Sequence, residues 1–372
     1  MMKRKYFMFI PILVTVMIEV SGCGFSPHTY YPAVSPEESI RSVSTIDVNE
    51  YTVTGKRNLY FKEIPHAIVV DGLEETEMTL AFCPNVTDIK AVYGYYDLQD
   101  FVKPQFKGKL ADVKALKSGQ INKELVLTMK PDLLIAEQCS FMPKSLGNTD
   151  FWNTRGIKTY VPVNTNSPGK HIISEKIETE FAYIKDFGKL FGQEEKANQY
   201  VDDAQKTLEF FQNNHDKTQP VQNVMIIENF GGSIASYDRT KLGGDIVTRL
   251  GGKISETKPL IGKEELLGRD PDVLFIVCSD GDHGECLKRF CQNPEFKKMT
   301  AIKNHRVYSI ELETMYAPGI RVKDGIEKIG LGLYPELSEK YWVTQNSTIN
   351  PSYINWLKYK SMDDFEANGG GE

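Results

Sequence analysis

The sequence predicts an α/β protein of two similar lobes, each a mostly parallel sheet flanked by helices, joined by one long rigid helix with a cleft between the lobes. Three observations carry that prediction. The first is a repeat about 140 residues apart: 123–136 and 263–276 each run from a short helix through a Pro-Asp turn into an apolar strand. Glu124 and Glu264 stand seven residues before Pro131 and Pro271 in the two copies. Proline lacks a backbone donor, so it fits the turn better than either flanking element. The second is that both repeat strands are apolar at every position, which suits a parallel sheet covered on both faces. The third is residues 193–213, a run without Gly or Pro that sets Ala197, Tyr200, Val201, Ala204, Leu208 and Phe211 at helical spacing. At 1.5 Å per residue it reaches roughly 30 Å, far enough to run from one lobe to the other.

Length and composition agree. A chain of 372 residues suits two lobes of roughly 130–150 residues with additions. With 41% hydrophobic and 25% charged residues it has a globular composition rather than a disordered one. The net charge is −6, and removing residues 1–22 takes three basic residues and one acid, so the remainder is more acidic. No basic stripe with interleaved aromatics suggests nucleic acid.

Taken in order, the chain opens with Lys3, Arg4 and Lys5, an apolar stretch too short for a comfortable membrane span, and Val20-Ser21-Gly22-Cys23. Residues 1–22 therefore read as a signal peptide. Its last residues resemble the bacterial lipobox, in which the cysteine (here Cys23) carries the lipid. Residues 23–58, rich in Ser, Thr and Pro, read as a tether. The first lobe, 59–192, contains a strand at 66–70, a helix at 74–82 with acids in its first turn, a strand at 89–95, the first repeat copy and a strand at 156–163. A helical region at 174–191 stops at Gly192. The connecting helix occupies 193–214. The second lobe, 215–338, has a strand at 221–227, a helix at 243–250, the second repeat copy, a strand at 306–310 and a closing helix at about 321–333. Residues 339–372 form a C-terminal extension that either packs on the surface or trails off.

Beyond Cys23, five cysteines remain, an odd number that leaves at least one thiol unpaired within the chain. A Cys286–Cys291 or a Cys83–Cys139 bridge is compatible with an extracytoplasmic protein, and spacing alone fixes neither. The run from Cys278 through His283 and Cys286 to Cys291 lacks the paired spacing of zinc sites. Asp280 and Asp282 do not fit a calcium loop. A polar loop after a strand is the default, with no metal assigned.

From about 64 to 338 the chain resembles the helical-backbone substrate-binding proteins of ABC importers that serve iron siderophores, haem and cobalamin. The similarity rests on 68–92, 122–136, 156–163, 224–252, 263–276 and 302–335. Two short stretches stand out: Ala301-Ile302-Lys303-Asn304-His305-Arg306-Val307-Tyr308, and Pro318-Gly319-Ile320-Arg321. The resemblance implies an extracytoplasmic, lipid-anchored monomer that captures a metal chelate. A ferric siderophore or haem is expected, with cobalamin as the alternative, delivered to a permease and its ATPase. It also implies that Glu124 and Glu264, one on each lobe, dock onto the permease.

A cleft in such a fold is lined by loops at the carboxyl ends of strands. The expected ligand-binding residues are Asp71, Tyr95, Tyr96, Asn229, Tyr237, Tyr316 and Arg321. Tyrosines offer broad contact area with few rotors, and Arg321 is expected to pair with ligand carboxylates. The loop stretches 137–138, 164–171 and 279–280 belong to the same set, and His171 is a solvent-exposed residue or a further metal ligand. The rival class is an anchored extracellular hydrolase. Gly231-Gly232-Ser233-Ile234-Ala235 hints at a nucleophile elbow, but Ala235 stands where a second glycine belongs, so no catalytic residue is assigned.

Overall fold

Strand β1 (Arg41–Asn49) and strand β2 (Thr52–Phe61) pair antiparallel across a turn at Glu50 and Tyr51, both with positive φ. The computed structural model describes residues 40–345 except 96, 166–174, 230–232, 257 and 279–282, and leaves aside the side chains of Ser118, Asn229 and Gln345. The tether expected over 23–58 therefore needs correction: from Arg41 onward it is a hairpin built into the first lobe. Val43, Ile46 and Val48 are buried, as are Leu59 and Phe61. Thr45 Oγ1 accepts a hydrogen bond from the Val161 amide at 2.8 Å, and the Val48 amide donates to Thr149 Oγ1 at 3.1 Å. Ser, Thr and Val alternating with polar residues are good strand formers once one face is covered. The turn lacks the Asn-Gly type of signal that would have marked a hairpin.

The first lobe continues with β3 (Ile68–Asp71), α1 (Leu73–Phe82), β4 (Ile89–Gly94), α2 (Leu98–Phe101), α3 (Pro104–Ala111) and β5 (Ala115–Lys117). It is completed by α4 (Lys123–Thr128), β6 (Leu133–Ala136), α5 (Thr149–Asn153), β7 (Lys158–Tyr160) and α6 (Ile177–Phe191). Its five strands are all parallel in the order β5-β4-β3-β6-β7. Every residue of β3 and β6 is buried, as expected for strands covered on both faces.

Helix α7 (Glu194–Asn214) is a single uninterrupted helix between the lobes. The second lobe comprises β8 (Asn223–Asn229), β9 (Ile234–Ser236), α8 (Leu242–Arg249), β10 (Lys253–Ile254), β11 (Leu260–Ile261) and α9 (Lys263–Arg269). It ends with β12 (Val273–Cys278), α10 (His283–Cys291), α11 (Thr300–Lys303), β13 (Val307–Glu311), α12 (Val322–Leu333) and α13 (Ser338–Gln345). The sheet order is β11-β9-β8-β12-β13 with β10 alongside β8. Strands β8, β10, β12 and β13 are parallel, β9 runs antiparallel to β8, and β11 runs antiparallel to β9.

Helix α12 lies directly on α7. At Gly330 a Cβ would clash with the Phe211 ring, so only glycine allows this approach. Part of the expected extension also belongs to the core: Tyr341 of α13 is fully buried, and its ring centroid lies 5.1 Å from that of Phe210 and 5.2 Å from that of Phe211. Tyr341 donates to Glu327 Oε2 at 2.8 Å.

The sequence repeat has a structural counterpart down to single atoms. Lys130 and Asp270, just before the two prolines, both have positive φ. The following aspartates do the same job in each lobe. Asp132 accepts from the His66 and Ala67 amides at 2.7 and 3.1 Å, and Asp272 accepts from the Asn223 amide at 2.8 Å. Each Pro-Asp pair thus ties the start of its own strand to the start of a neighbouring one.

Candidate functional site

A cavity of about 450 Å³ opens where the carboxyl ends of the first lobe's strands face the second lobe. Asp71 closes β3, Tyr95 follows β4 and Glu137 follows β6. Leu312, Glu313 and Tyr316, just past β13, contribute the opposite wall. A larger depression of about 760 Å³ around Gln222, Arg306 and Tyr334 lies at the amino ends of the second lobe's strands. There Gln222 and Arg306 are bonded to the Leu333 carbonyl, as structural links rather than as a cleft. The inter-lobe cavity is where an α/β architecture of this kind places a ligand.

The sheet register assembles the cavity floor. Asp71 lies opposite Ala136, so Glu137, the next residue, arrives beside the start of α1. Gly72 has φ 128°, and a Cβ there would overlap the Glu75 carboxylate. Glycine lets the chain turn directly from β3 into α1 and brings Glu74 and Glu75 over the strand ends. Glu75 is fully buried, and neither of its carboxylate oxygens has a hydrogen-bond partner. One carboxylate oxygen from each of Glu74, Glu75 and Glu137 lies within 4.8 Å of the other two.

Burial, reinforced by Glu137, holds Glu74 and Glu75 well above the usual carboxylate range. Burial pushes Glu137 up to about 7, although the Cys139 thiol, 3.2 Å from Glu137 Oε2, favours its charged form. The Cys139 thiol is itself raised by burial and then by Glu137, and the Tyr316 hydroxyl is raised by the same two causes. Burial also raises Glu313. Among the described lining residues none is basic. The floor therefore gathers carboxyl groups that burial and mutual repulsion hold in their protonated form, and a positive charge arriving there would draw them into their charged form.

Asp71, Tyr95 and Tyr316 all line this cavity, Tyr95 at its rim with 82% of its surface exposed. Tyr237 is elsewhere, donating to Glu228 Oε2 at 2.9 Å, and is not among the lining residues. Asn229 ends β8, but its side chain is outside the described set, as are Tyr96, His171, the 279–280 loop and Cys23. The expectation for Arg321 is corrected. It is 1% exposed, with Nε and Nη2 each 2.6 Å from a Glu77 carboxylate oxygen, so its guanidinium is committed within the protein. Glu124 and Glu264 are both exposed and each is the second residue of its helix. Ile121, just before α4, lines the cavity, which puts Glu124 at the cleft-side end of its helix.

Neither of the two cysteine pairings that the sequence left open is the one that forms. Cys278 is bonded to Cys286, with Cα atoms 6.3 Å apart, while Cys83, Cys139 and Cys291 are free thiols. The bridge takes two donors from the run considered for a metal. It spans the end of β12 and the first turns of α10, a proximity that sequence spacing does not reveal.

Sequence reasoning missed Glu74, Cys139 and Glu313 as lining residues. The only signal was Glu74-Glu75 one residue after a strand-ending Asp71-Gly72, and acids in a first helical turn are usually explained by the helix dipole.

Comparisons with known proteins agree on the architecture. The profile of a family described as periplasmic binding protein matches residues 76–313. The chain is 21% identical over 346 residues to YvrC of Bacillus subtilis (strain 168), described as an uncharacterized ABC transporter substrate-binding lipoprotein, covering 90% of this chain and 99% of that protein. The crystal structure of a periplasmic binding protein from Veillonella parvula DSM 2008 superposes with a TM-score of 0.73 at 24% identity, covering 81% of this chain and 94% of that one. An ABC-type Fe3+-hydroxamate transport system structure from Saccharomonospora viridis DSM 43017 gives 0.61 at 16% identity, over 77% of this chain and 98% of that one.

Proposed function

Because the chain belongs to the periplasmic binding protein family, whose members are solute-binding proteins and not enzymes, we propose that it is the substrate-binding component of an ABC importer for a metal chelate. The observation that carries this reading is the inter-lobe cavity at the carboxyl ends of the strands, with Asp71, Tyr95 and Tyr316 on its walls. The rival hydrolase reading does not survive family membership.

The acidic floor narrows the ligand. Five carboxylates, from Asp71, Glu74, Glu75, Glu137 and Glu313, lie in or beside the cavity. Among the described lining residues no basic side chain offers a partner to haem propionates, whereas a positively charged complex can draw the protonated carboxyls into their charged form, so a ferric siderophore complex of positive charge ranks ahead of haem and of cobalamin. Cys23 is the proposed lipid attachment that keeps the protein on the extracytoplasmic face of the membrane. Glu124 and Glu264, equivalent by the repeat, are the proposed contacts to the permease.

The test is a fluorescence-quenching titration of the purified chain with a cationic ferric hydroxamate, haem and cobalamin. Saturable quenching is expected with the hydroxamate and weaker or none with haem. Failure of all three to bind would overturn the chelate reading.

A further inference from the structure

We propose that Glu74, Glu75 and Glu137 form an inner-sphere site for a hard, oxygen-preferring multivalent cation at the floor of the cleft. The inference rests on the cleft being the ligand site. It adds that a metal is held by protein carboxylates, not merely enclosed inside a finished chelate.

Two independent observations point there. One is geometric: three carboxylate oxygens from separate residues lie within 4.8 Å of one another, close enough to share a single ion. The other is the state of Glu75, which has no exposed surface and no hydrogen-bond partner for either oxygen. A buried carboxyl group with no hydrogen-bond partner is costly whether charged or protonated, and acids that merely stabilise a helix start do not need to be buried. The hydroxyl of Tyr183, also buried and without a hydrogen-bond partner, feels the charge of Glu75 more than that of any other group. A cation at this point would compensate all three carboxylates at once. Oxygen donors without imidazole select Mg²⁺, Ca²⁺, Mn²⁺ or a trivalent ion over soft metals. The Cys139 thiol donates to Glu137 Oε2 and so orients that carboxylate.

Two sources supply such a cation: an aquated ion, or the metal of a complex whose chelator leaves coordination positions open. A hexadentate chelate leaves none and would not use this site.

The experiment titrates the purified full chain with Tb³⁺, read by tyrosine-sensitised luminescence, and displaces it with Mn²⁺. One ion per chain is expected, with affinity at least tenfold lower in Glu75→Gln and in Glu137→Gln and unchanged in Glu209→Gln on the exposed face of α7. Thermal melting gives a second readout that does not depend on one variant folding well. Mn²⁺ should raise the Tm of the unmodified chain and not that of either glutamine variant. No saturable binding, affinity in both glutamine variants equal to that of the unmodified chain, or displacement of Tb³⁺ by substitution-inert hexaamminecobalt(III) as readily as by Mn²⁺ would each overturn the site.

A ferric bis-hydroxamate with two open iron positions separates the sources. If it competes with Mn²⁺ and is sensitive to Glu75→Gln, the site takes the metal of a complex. If Mn²⁺ binds and the complex does not, the site takes the aquated ion, and the chelate reading is decided by the titration with the ferric hydroxamate, haem and cobalamin. If the complex binds the unmodified chain and Glu75→Gln equally while no bare ion binds, the chelate reading stands and the carboxylate site fails.

Discussion

Arg321, at the start of α12 in the second lobe, grips Glu77 of α1 in the first lobe through two hydrogen bonds of 2.6 Å, although the residues are 244 positions apart. Both side chains are 1% exposed. Glu77 also accepts from the Lys103 amide, the Lys103 amine pairs with Asp324, and the Gly319 amide donates to Glu180. The lobes are thus latched behind the cleft by buried polar groups as well as joined by α7.

Breaking that latch on one side strands a buried charge. Arg321→Met should destabilise the protein by about 3–5 kcal/mol in urea melts, because Glu77 loses its counter-charge. Adding Glu77→Gln should restore much of the loss, since the amide side chain is neutral and still able to accept from the Lys103 amide. A double variant as unstable as the sum of the singles would refute the coupling. The latch and α7 together also predict a radius of gyration that agrees within error with and without ligand; a large drop measured by small-angle scattering would contradict a rigid frame.

Glu180 predicts a pH dependence of stability. Burial pushes it up to about 8, against the hydrogen bonds it accepts from Asn164 at 2.7 Å and Gly319 at 3.0 Å. The folded protein therefore keeps a proton that the unfolded chain releases near pH 4.5. This contribution is full below that pH, declines as pH rises toward 8, and is flat above it. The stability difference between the unmodified chain and Glu180→Gln should shift by roughly 1 kcal/mol per pH unit inside the window, in favour of the variant at higher pH. A pH-independent difference would be the contrary result.

Thr45 holds the hairpin to the first lobe. Thr45→Val keeps the shape but removes the acceptor of the Val161 amide, a bond of 2.8 Å at a residue with no exposed surface. Leaving that amide unsatisfied should cost about 1–3 kcal/mol, measured by chemical denaturation. Ligand affinity should not change, because no residue of the hairpin lines the cavity.

Reversing both exposed glutamates, Glu124→Lys with Glu264→Lys, should reduce ligand uptake in cells severalfold while leaving affinity and melting temperature within error. Rim charges chiefly govern encounter and orientation with a partner. An unchanged uptake rate would remove these residues from the permease contact.

Much of this was visible in the residues themselves. The repeat of 123–136 in 263–276, the apolar strands and the unbroken run of α7 follow from local pattern, because helix period and strand burial are written in neighbouring side chains. Asp71, Tyr95 and Tyr316 could be placed near a cleft because strand ends in such folds converge there. What the sequence could not show was every relationship that depends on distant parts meeting. Arg321 looked available for a ligand until Glu77 came within 2.6 Å of it. Residues 41–58 looked like a tether until a lobe surface arrived to cover Val43, Ile46 and Val48. Glu74 and Glu75 looked like helix-start acids until the β3–β6 register brought Glu137 beside them. Local chemistry determined the elements and their order. Only the packing of one lobe against the other decided which charges are neutralised inside the protein and which remain for a ligand, because desolvation and pairing exist only once the chain is folded.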